Sequence, residues 1–394
     1  MVSSSVPSQG VRSHRALRIT LVTVSITLVV AVLALLGVGW YYSDQLLDPA
    51  QARPGYPDVS LGPTSVDGVS SVALQKASDT TDAGSWALLW PGGAAQVGQV
   101  LTDRDGKVVR KLLTGQAPPA GTPVRLSPQM WPGDPKSALG LDFQNVNVAT
   151  PIGDMPAWLT PGSGDTWAIA IHGRGGDRQE TLRSIPTLHQ LGLSVLSITY
   201  RNDDGAPRSP DGFFHLGDSE WQDAESAMKY ATAHGAKHLV LYGWSMGGTI
   251  AEQVLARSPL AAEVDAVILD APAVSWGKTL VLQAQDRGLP LTGLLTWDAE
   301  LVSGWRAGID FGRMELTDAP PTHRPPTLLF HGSADTTVPV QASRDLAAAA
   351  KGLNWPLTYV EVPGAEHTAS WNVDPSGYEG HLRDFLGGRP DLTR

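Results

Sequence analysis

From about residue 140 onward, short apolar runs alternate with longer stretches of helical spacing, and this alternation restricts the chain more than any other feature. Runs at 143–150 and 155–160 flank the turn Pro151-Ile152-Gly153-Asp154, and WAIAIH, SVLSITY, HLVLYG, VDAVILD, TLLFHG and LTYVEV follow in order. Most of these later runs are continuously apolar, as strands buried on both faces must be, and helices fit between them. The pattern predicts an α/β unit over 141–390 with a mostly parallel sheet flanked by helices. A chain of 394 residues with 42% apolar content can bury such a core. It contains no cysteine, so packing alone must hold it together, without disulfides or thiolate metal sites.

The first 140 residues read differently. Residues 19–40, ITLVTVSITLVVAVLALLGVGW, carry no charge, and about 20 such residues cross a bilayer core. Arg12, Arg15 and Arg18 precede the run, and Asp44 and Asp48 follow it. Positive charge stays inside, so the expectation is a cytoplasmic tail at 1–18, a transmembrane anchor at 19–42 and an extracytoplasmic remainder. A cleaved signal peptide is the alternative, with Gly37 and Gly39 as a weak cleavage site. Proline and glycine at 43–63 suggest a linker, and β-like runs at 64–140, with Asp105-Gly106 as a hairpin turn, suggest a small β-rich accessory region. The formal net charge is −10, and more negative once the three arginines are set aside, which argues against nucleic acid as a partner.

Ser245 sits in GWSMGG, between the run HLVLYG and a stretch with Ile250 and Val254 on one helical face. In a chain with 42 glycines the motif alone decides nothing. Its setting decides more, because a strand-to-helix turn of this kind thrusts the serine hydroxyl above the sheet. The helix start brings the Met246 N–H close, and the glycine-rich HGRGG at 172–176 can direct the Arg174 N–H to the same point, forming an oxyanion hole. Serine needs a base and the base needs a carboxylate. Asp335 follows the run TLLFHG and His367 follows LTYVEV. Strand ends of a parallel sheet share one edge, so these residues converge on Ser245. His172 and His331 read as strand-end histidines that hold turns.

Taken jointly, HGRGG, GWSMGG, HGSADTTVP and GAEH, in the order Ser…Asp…His, resemble the α/β-hydrolases over about 143–388. TYRNDDGAP at 199–207, HLGDSEW at 215–221 and ILDAPAVSW at 268–276 are further similar to membrane-anchored actinobacterial hydrolases of unassigned substrate. The resemblance implies serine-hydrolase chemistry with Ser245, Asp335 and His367 as the triad, and no cofactor or metal. It also leaves an alternative acid, Asp270, since some members of this fold place the carboxylate after that earlier strand. Residues 273–322 interrupt the strands after the sixth and would form a cap, with Trp276, Trp297 and Trp305 as candidates for an apolar pocket. Arg174, Arg178, Arg183, Arg201 and Arg208 fall near the same edge and could receive an anionic group. The expected activity is cleavage of an ester-type bond in an acyl substrate such as a lipid or peptide. A serine peptidase, an acyltransferase and a non-catalytic binding protein on the same fold are the alternatives.

Overall fold

The computed structural model describes residues 9–52 and 55–393, with side chains from Leu17 on, so Arg12 and Arg15 of the basic flank lie outside the described side chains. A single helix, α1 (Gln9–Leu47), contains the apolar run and continues five residues past its expected end. The span is exposed from Leu17 to Leu33, but from Gly39 one side of the helix is buried, with Ser43, Leu46 and Leu47 all inside. Its last residue is tied to the main domain by Phe214 N donating to Leu47 O at 2.9 Å. A 3-10 turn at Pro49–Ala52 follows. The linker expected at 43–63 therefore begins as packed helix. Its Asp and Gln residues read as linker composition because the apolar side of that last turn is only three or four residues wide.

Strands β1 (Asp58–Val66), β2 (Val69–Gln75), β3 (Trp86–Trp90), β4 (Gly93–Arg104), β5 (Lys107–Thr114) and β6 (Pro123–Ser127) close into a barrel in the order β1-β2-β5-β4-β3-β6. The unit thus starts at Asp58, ahead of residue 64. Asp105 and Gly106, with φ of 55° and 70°, form the β4–β5 turn, as a hairpin of right-twisted strands requires. Val72, Leu74, Trp86, Leu88, Val97 and Val124 fill the interior. Arg110 is wholly buried there and donates to the carbonyls of Thr80, Asp82, Gly84 and Gly98 at 2.8–3.1 Å.

After the short α2 (Pro135–Leu139), a single eight-stranded sheet forms the main domain. Its strands are β7 (Gln144–Thr150), β8 (Gly153–Thr160), β9 (Thr166–Ile171), β10 (Ser194–Ile198), β11 (His238–Trp244), β12 (Val264–Asp270), β13 (Thr327–Gly332) and β14 (Leu357–Val362). The order is β14-β13-β12-β11-β9-β10-β8-β7, antiparallel at the β7–β8 and β8–β10 pairs and parallel elsewhere. Two apolar layers cover its faces. They hold α3 (Ile185–Gln190), α4 (Trp221–Ala233), α5 (Met246–Arg257), α8 (Val340–Gly352), α9 (Ser370–Val373) and α10 (Pro375–Gly387). This is the α/β-hydrolase fold. Between β12 and β13 the cap supplies α6 (Trp276–Asp286) and α7 (Thr292–Ala307), and α7 packs along the end of α1.

Ser219 has capping-box spacing, yet its hydroxyl finds no partner and α4 begins after Glu220 without a side-chain cap. The Glu220 carboxylate instead accepts from the backbone N–H groups of His215 and Gly217 at 2.6 and 2.9 Å, ordering the loop before the helix.

Arg110 gives the fold a direct test. Arg110→Met keeps the apolar stem but leaves buried carbonyls unpaired, at about 1–3 kcal/mol for each group not rescued by water. Denaturant unfolding followed by tryptophan fluorescence should register a loss of roughly 3 kcal/mol or more, whereas Lys111→Met on the outer face of β5 should be nearly neutral.

Candidate active site

Ser245 is the single residue between β11 and α5, and its backbone is forced to φ 49° and ψ −118°. A non-glycine residue rarely adopts this conformation. Neighbouring bonds enforce it, with Ser245 N donating to Asp270 O at 3.0 Å and Ser245 O accepting from Gly248 N and Ala273 N at 2.9 and 3.2 Å. The turn also requires glycine on both sides. A Cβ on Gly243 would meet the Gly247 backbone, and one on Gly247 would run into the carbonyls of Ile171 and His172.

The hydroxyl thus raised meets His367, whose Nε2 accepts from Ser245 Oγ at 2.9 Å. On its other side, His367 Nδ1 donates to Asp335 Oδ2 at 2.8 Å. Asp335 is fixed in turn, its Oδ1 accepting from Thr337 N and Val338 N at 2.8 Å each. The buried His331 lies 3.1 Å from Oδ2 through Nε2, which also faces Val338 O, and its Nδ1 faces Ser343 Oγ at 2.7 Å. Burial alone would raise the Asp335 pKa, but His367 and His331 overcome it and hold the carboxyl well below the usual range. Burial likewise works against a charged His367, yet the Asp335 carboxylate outweighs it and the imidazole pKa stands above its ordinary 6.5.

Asp270 takes no part in this relay. It is fully buried, accepts from Ser370 Oγ at 3.0 Å and Tyr378 OH at 3.2 Å, and burial raises its pKa to about 6. His172 is likewise occupied: it stacks on Tyr200, and its two ring nitrogens face Gly173 O and Asp203 Oδ2 at 2.8 and 2.9 Å. With acceptors on both sides the ring is an imidazolium, its pKa raised to about 9 by Asp203 despite burial.

Met246 opens α5, and the HGRGG loop passes so near that a Cβ on Gly173 would lie 3.1 Å from the Ser245 Cβ. Glu180 holds this loop by accepting from Gly173 N at 2.8 Å, and Arg183 braces Glu180. The Arg174 side chain lines both cavities beside the serine and reaches toward the end of α1. It donates to Gln45 O at 2.7 Å and lies over Phe214, and burial lowers its pKa only to about 10, so it remains charged. Of the other arginines, Arg183 and Arg201 are spent on buried partners and Arg208 is exposed. Arg178 alone of that group joins the site, its guanidinium 4.4 Å over the Trp158 ring.

Two cavities meet at Ser245 and His367. One, of about 630 Å³, lies between the sheet edge and the barrel, with Arg125, Gln129, Asp177, Arg178 and Asn202 among its walls beside Trp158 and Phe214. The other, of about 370 Å³, is walled by Tyr41, Tyr42 and Leu46 of α1 and by Trp276, Leu280 and Ala299 of the cap, with Gln45, Gln283 and Arg287 as polar members. Trp276 therefore lines the pocket as expected, but Trp297 and Trp305 do not, being 54% and 76% exposed on the far side of α7. Sequence reasoning missed Arg125 and the three α1 residues, which reach the site only through tertiary packing.

The mixed sheet, the strand–serine–helix turn and the order Ser…Asp…His define a hydrolase of the α/β-hydrolase fold. Known proteins agree. Residues 209–383 match the prolyl oligopeptidase family, and residues 64–127 match a domain of unknown function (DUF8805) that falls within the barrel. An uncharacterized protein of Mycobacterium tuberculosis is 28% identical over 236 residues, 58% of this chain and 72% of its own. Dipeptidyl aminopeptidase BIII of Pseudoxanthomonas mexicana is 25% identical over 354 residues, 79% of this chain and 46% of its own. Among solved structures, a Pyrococcus furiosus esterase superposes with a TM-score of 0.52 at 20% identity, over 66% of this chain and 96% of that one. The chain has the α/β-hydrolase fold.

Two outcomes follow from the hydrogen bonds. Asp335→Asn should keep the fold by circular dichroism and lose on the order of 10⁴ in kcat. Asp270→Asn should cost at most roughly tenfold, the rate equivalent of one hydrogen bond of about 1 kcal/mol. The pH profile carries a sign as well. Protonated His367 cannot accept the serine proton, so kcat/KM should fall as pH drops through an apparent pKa above 6.5. A midpoint below 6.5 would contradict the Asp335–His367 pairing.

Proposed function

We propose that this protein is a membrane-anchored serine hydrolase that cleaves ester bonds on the extracytoplasmic side. The observation that carries the reading is the Asp335–His367–Ser245 hydrogen-bond chain set where two cavities meet. An apolar acyl chain fits the cavity under the cap, and a polar alcohol portion fits the cleft under the barrel, where Arg125 and Arg178 supply positive charge.

In the first half-reaction His367 Nε2 takes the Ser245 proton while Oγ forms a bond to the ester carbonyl carbon. The N–H groups of Met246 and Arg174 hold the resulting oxyanion. As the carbonyl re-forms, the bond to the alkoxy oxygen breaks and His367 delivers its proton to the departing alcohol. Water, deprotonated by His367, then attacks the acyl-enzyme and releases the acid and free Ser245. No metal or cofactor enters these steps.

The anchor reading is supported by the way α1 is built into the domain. Gly39 packs against Asp298 and Val302, so cleavage beside Trp40 would cut through a helix already seated on the cap. The Arg12, Arg15 and Arg18 flank orients the chain with its N-terminus inside. A peptidase is the second reading, favoured by the prolyl oligopeptidase match and by the similarity to a dipeptidyl aminopeptidase.

Fluorophosphonate labelling of the membrane-embedded chain tests the class, and a substrate panel then tests the bond. Ser245→Ala should abolish labelling while Ser219→Ala retains it. Chromogenic acyl esters should turn over faster than dipeptidyl amides. Labelling that persists in Ser245→Ala defeats the hydrolase mechanism, and preferential turnover of amides moves the protein to the peptidase reading.

A further inference from the structure

The outer face of α7 has no role in the reaction. Its inner face, with Thr296, Asp298, Ala299, Val302 and Ser303, is buried. On the opposite side Leu294, Trp297, Leu301 and Trp305 recur at helical spacing and are 45%, 54%, 52% and 76% exposed, with Leu291 just ahead at 73%. Single exposed apolar residues need no explanation, whereas a contiguous stripe of five large ones does. No charge interrupts it: Asp298 is buried, Glu300 is half-buried, and Arg306 is turned onto α1.

What covers this stripe is indicated by its neighbour. Gly39 of α1 faces Asp298 and Val302, while Trp40 meets Trp305 at 6.2 Å and Asp44 pairs with Arg306 at 2.6 Å. The contacts ascend both helices together, so α7 lies beside the last part of the apolar span, where Val29, Val32, Leu33 and Leu36 are exposed. The stripe and the span thus form one continuous apolar surface. Trp40, Tyr41, Trp297 and Trp305 give it aromatic side chains suited to a lipid–water boundary. The other sides of the same two helices wall the 370 Å³ cavity that ends at Ser245 and His367.

We propose that α7 is a second membrane element, seated in the leaflet next to the domain through Leu294, Trp297, Leu301 and Trp305, and that the 370 Å³ cavity fills from the bilayer with membrane-resident acyl esters. This rests on α1 being a retained anchor and on Ser245 chemistry. An interfacial helix of this kind binds lipid through its apolar face while its other face stays in protein. Here that protein face is the wall of the acyl cavity. The substrate chain passes between α1 and α7 without crossing water.

The chain has no cysteine, which permits single-cysteine labelling of the full-length protein. Leu28→Cys in the span, Trp297→Cys and Leu301→Cys on α7, and Leu113→Cys on the barrel would each carry a fluorophore in phosphatidylcholine–phosphatidylglycerol vesicles. Lipid-borne nitroxide should quench the labels at 28, 297 and 301, and aqueous iodide should quench only the label at 113. If the α7 labels respond to iodide while the label at 28 responds to lipid, the proposal is overturned and the anchor stands. If the label at 28 also responds to iodide, the anchor reading itself fails. Labels on α7 shielded from both quenchers would mean that two copies of the stripe pack together, which also overturns the proposal. In the functional arm, the triple variant Trp297→Ser/Leu301→Ser/Trp305→Ser should lose about tenfold or more against a long-chain ester held in vesicles. The same variant should stay within about twofold on a water-soluble butyryl ester, because none of the three side chains lines the cavity. Equal loss on both substrates, or loss on neither, overturns entry from the bilayer.

Discussion

The site depends on one strained residue. Ser245 must hold a positive φ at the junction of β11 and α5, and the surrounding bonds oblige it to do so. That one conformation has three effects together. It lifts the hydroxyl toward His367, starts α5 at Met246, and brings Gly247 against the end of β9, where only glycine fits. The parallel register of β9, β11, β12 and β13 then brings the loops with Arg174, Asp270 and Asp335 to the same edge. Which of the two carboxylates serves His367 is decided by loop geometry. The 335–338 turn wraps the Asp335 carboxylate with two backbone N–H groups, whereas Asp270 is consumed by Ser370 and Tyr378.

The parts outside the sheet give the site its two sides. The barrel meets the domain through Asn372, which donates to Ser85 O and Pro128 O and accepts from Arg183. Arg183 also braces Glu180, and Glu180 holds the glycine-rich loop. A chain of buried hydrogen bonds therefore runs from the accessory unit to the loop assigned to the oxyanion, and Arg125 reaches the cleft from the barrel itself. On the opposite side α1, α6 and α7 enclose the second cavity. Two additions to one sheet thus supply the two sides of the site.

Much of this was legible in the sequence, for physical reasons. Strands such as WAIAI at 167–171 are buried on both faces and so read as unbroken apolar runs. Ser245, Asp335 and His367 each follow such a run, so the shared sheet edge brings them together without knowledge of the loops. Other features have no local signature. Ser43, Leu46 and Leu47 are apolar or small positions spaced among Asp44, Gln45 and Asp48, and only contact with α7 and Phe214 shows that they continue a helix. Trp297 and Trp305 look like pocket residues by composition, but the rotation of α7, fixed by Gly39 of α1 against Asp298 and by Asp44 of α1 against Arg306, sets them outside. Ser219 has the spacing of a cap but loses to Glu220, whose longer side chain satisfies the preceding loop.

The Arg174–Gln45 hydrogen bond carries a consequence for how freely the parts of this chain can be exchanged. A terminal helix is often a replaceable module whose deletion leaves the rest of the chain unaltered. Here Tyr41, Tyr42 and Leu46 are cavity walls, and the oxyanion loop grips a carbonyl of the same helix. A shortened, water-soluble form would retain Ser245 and its partners but lose one wall of its acyl site. Its substrate preference would be more permissive in chain shape than that of the intact chain.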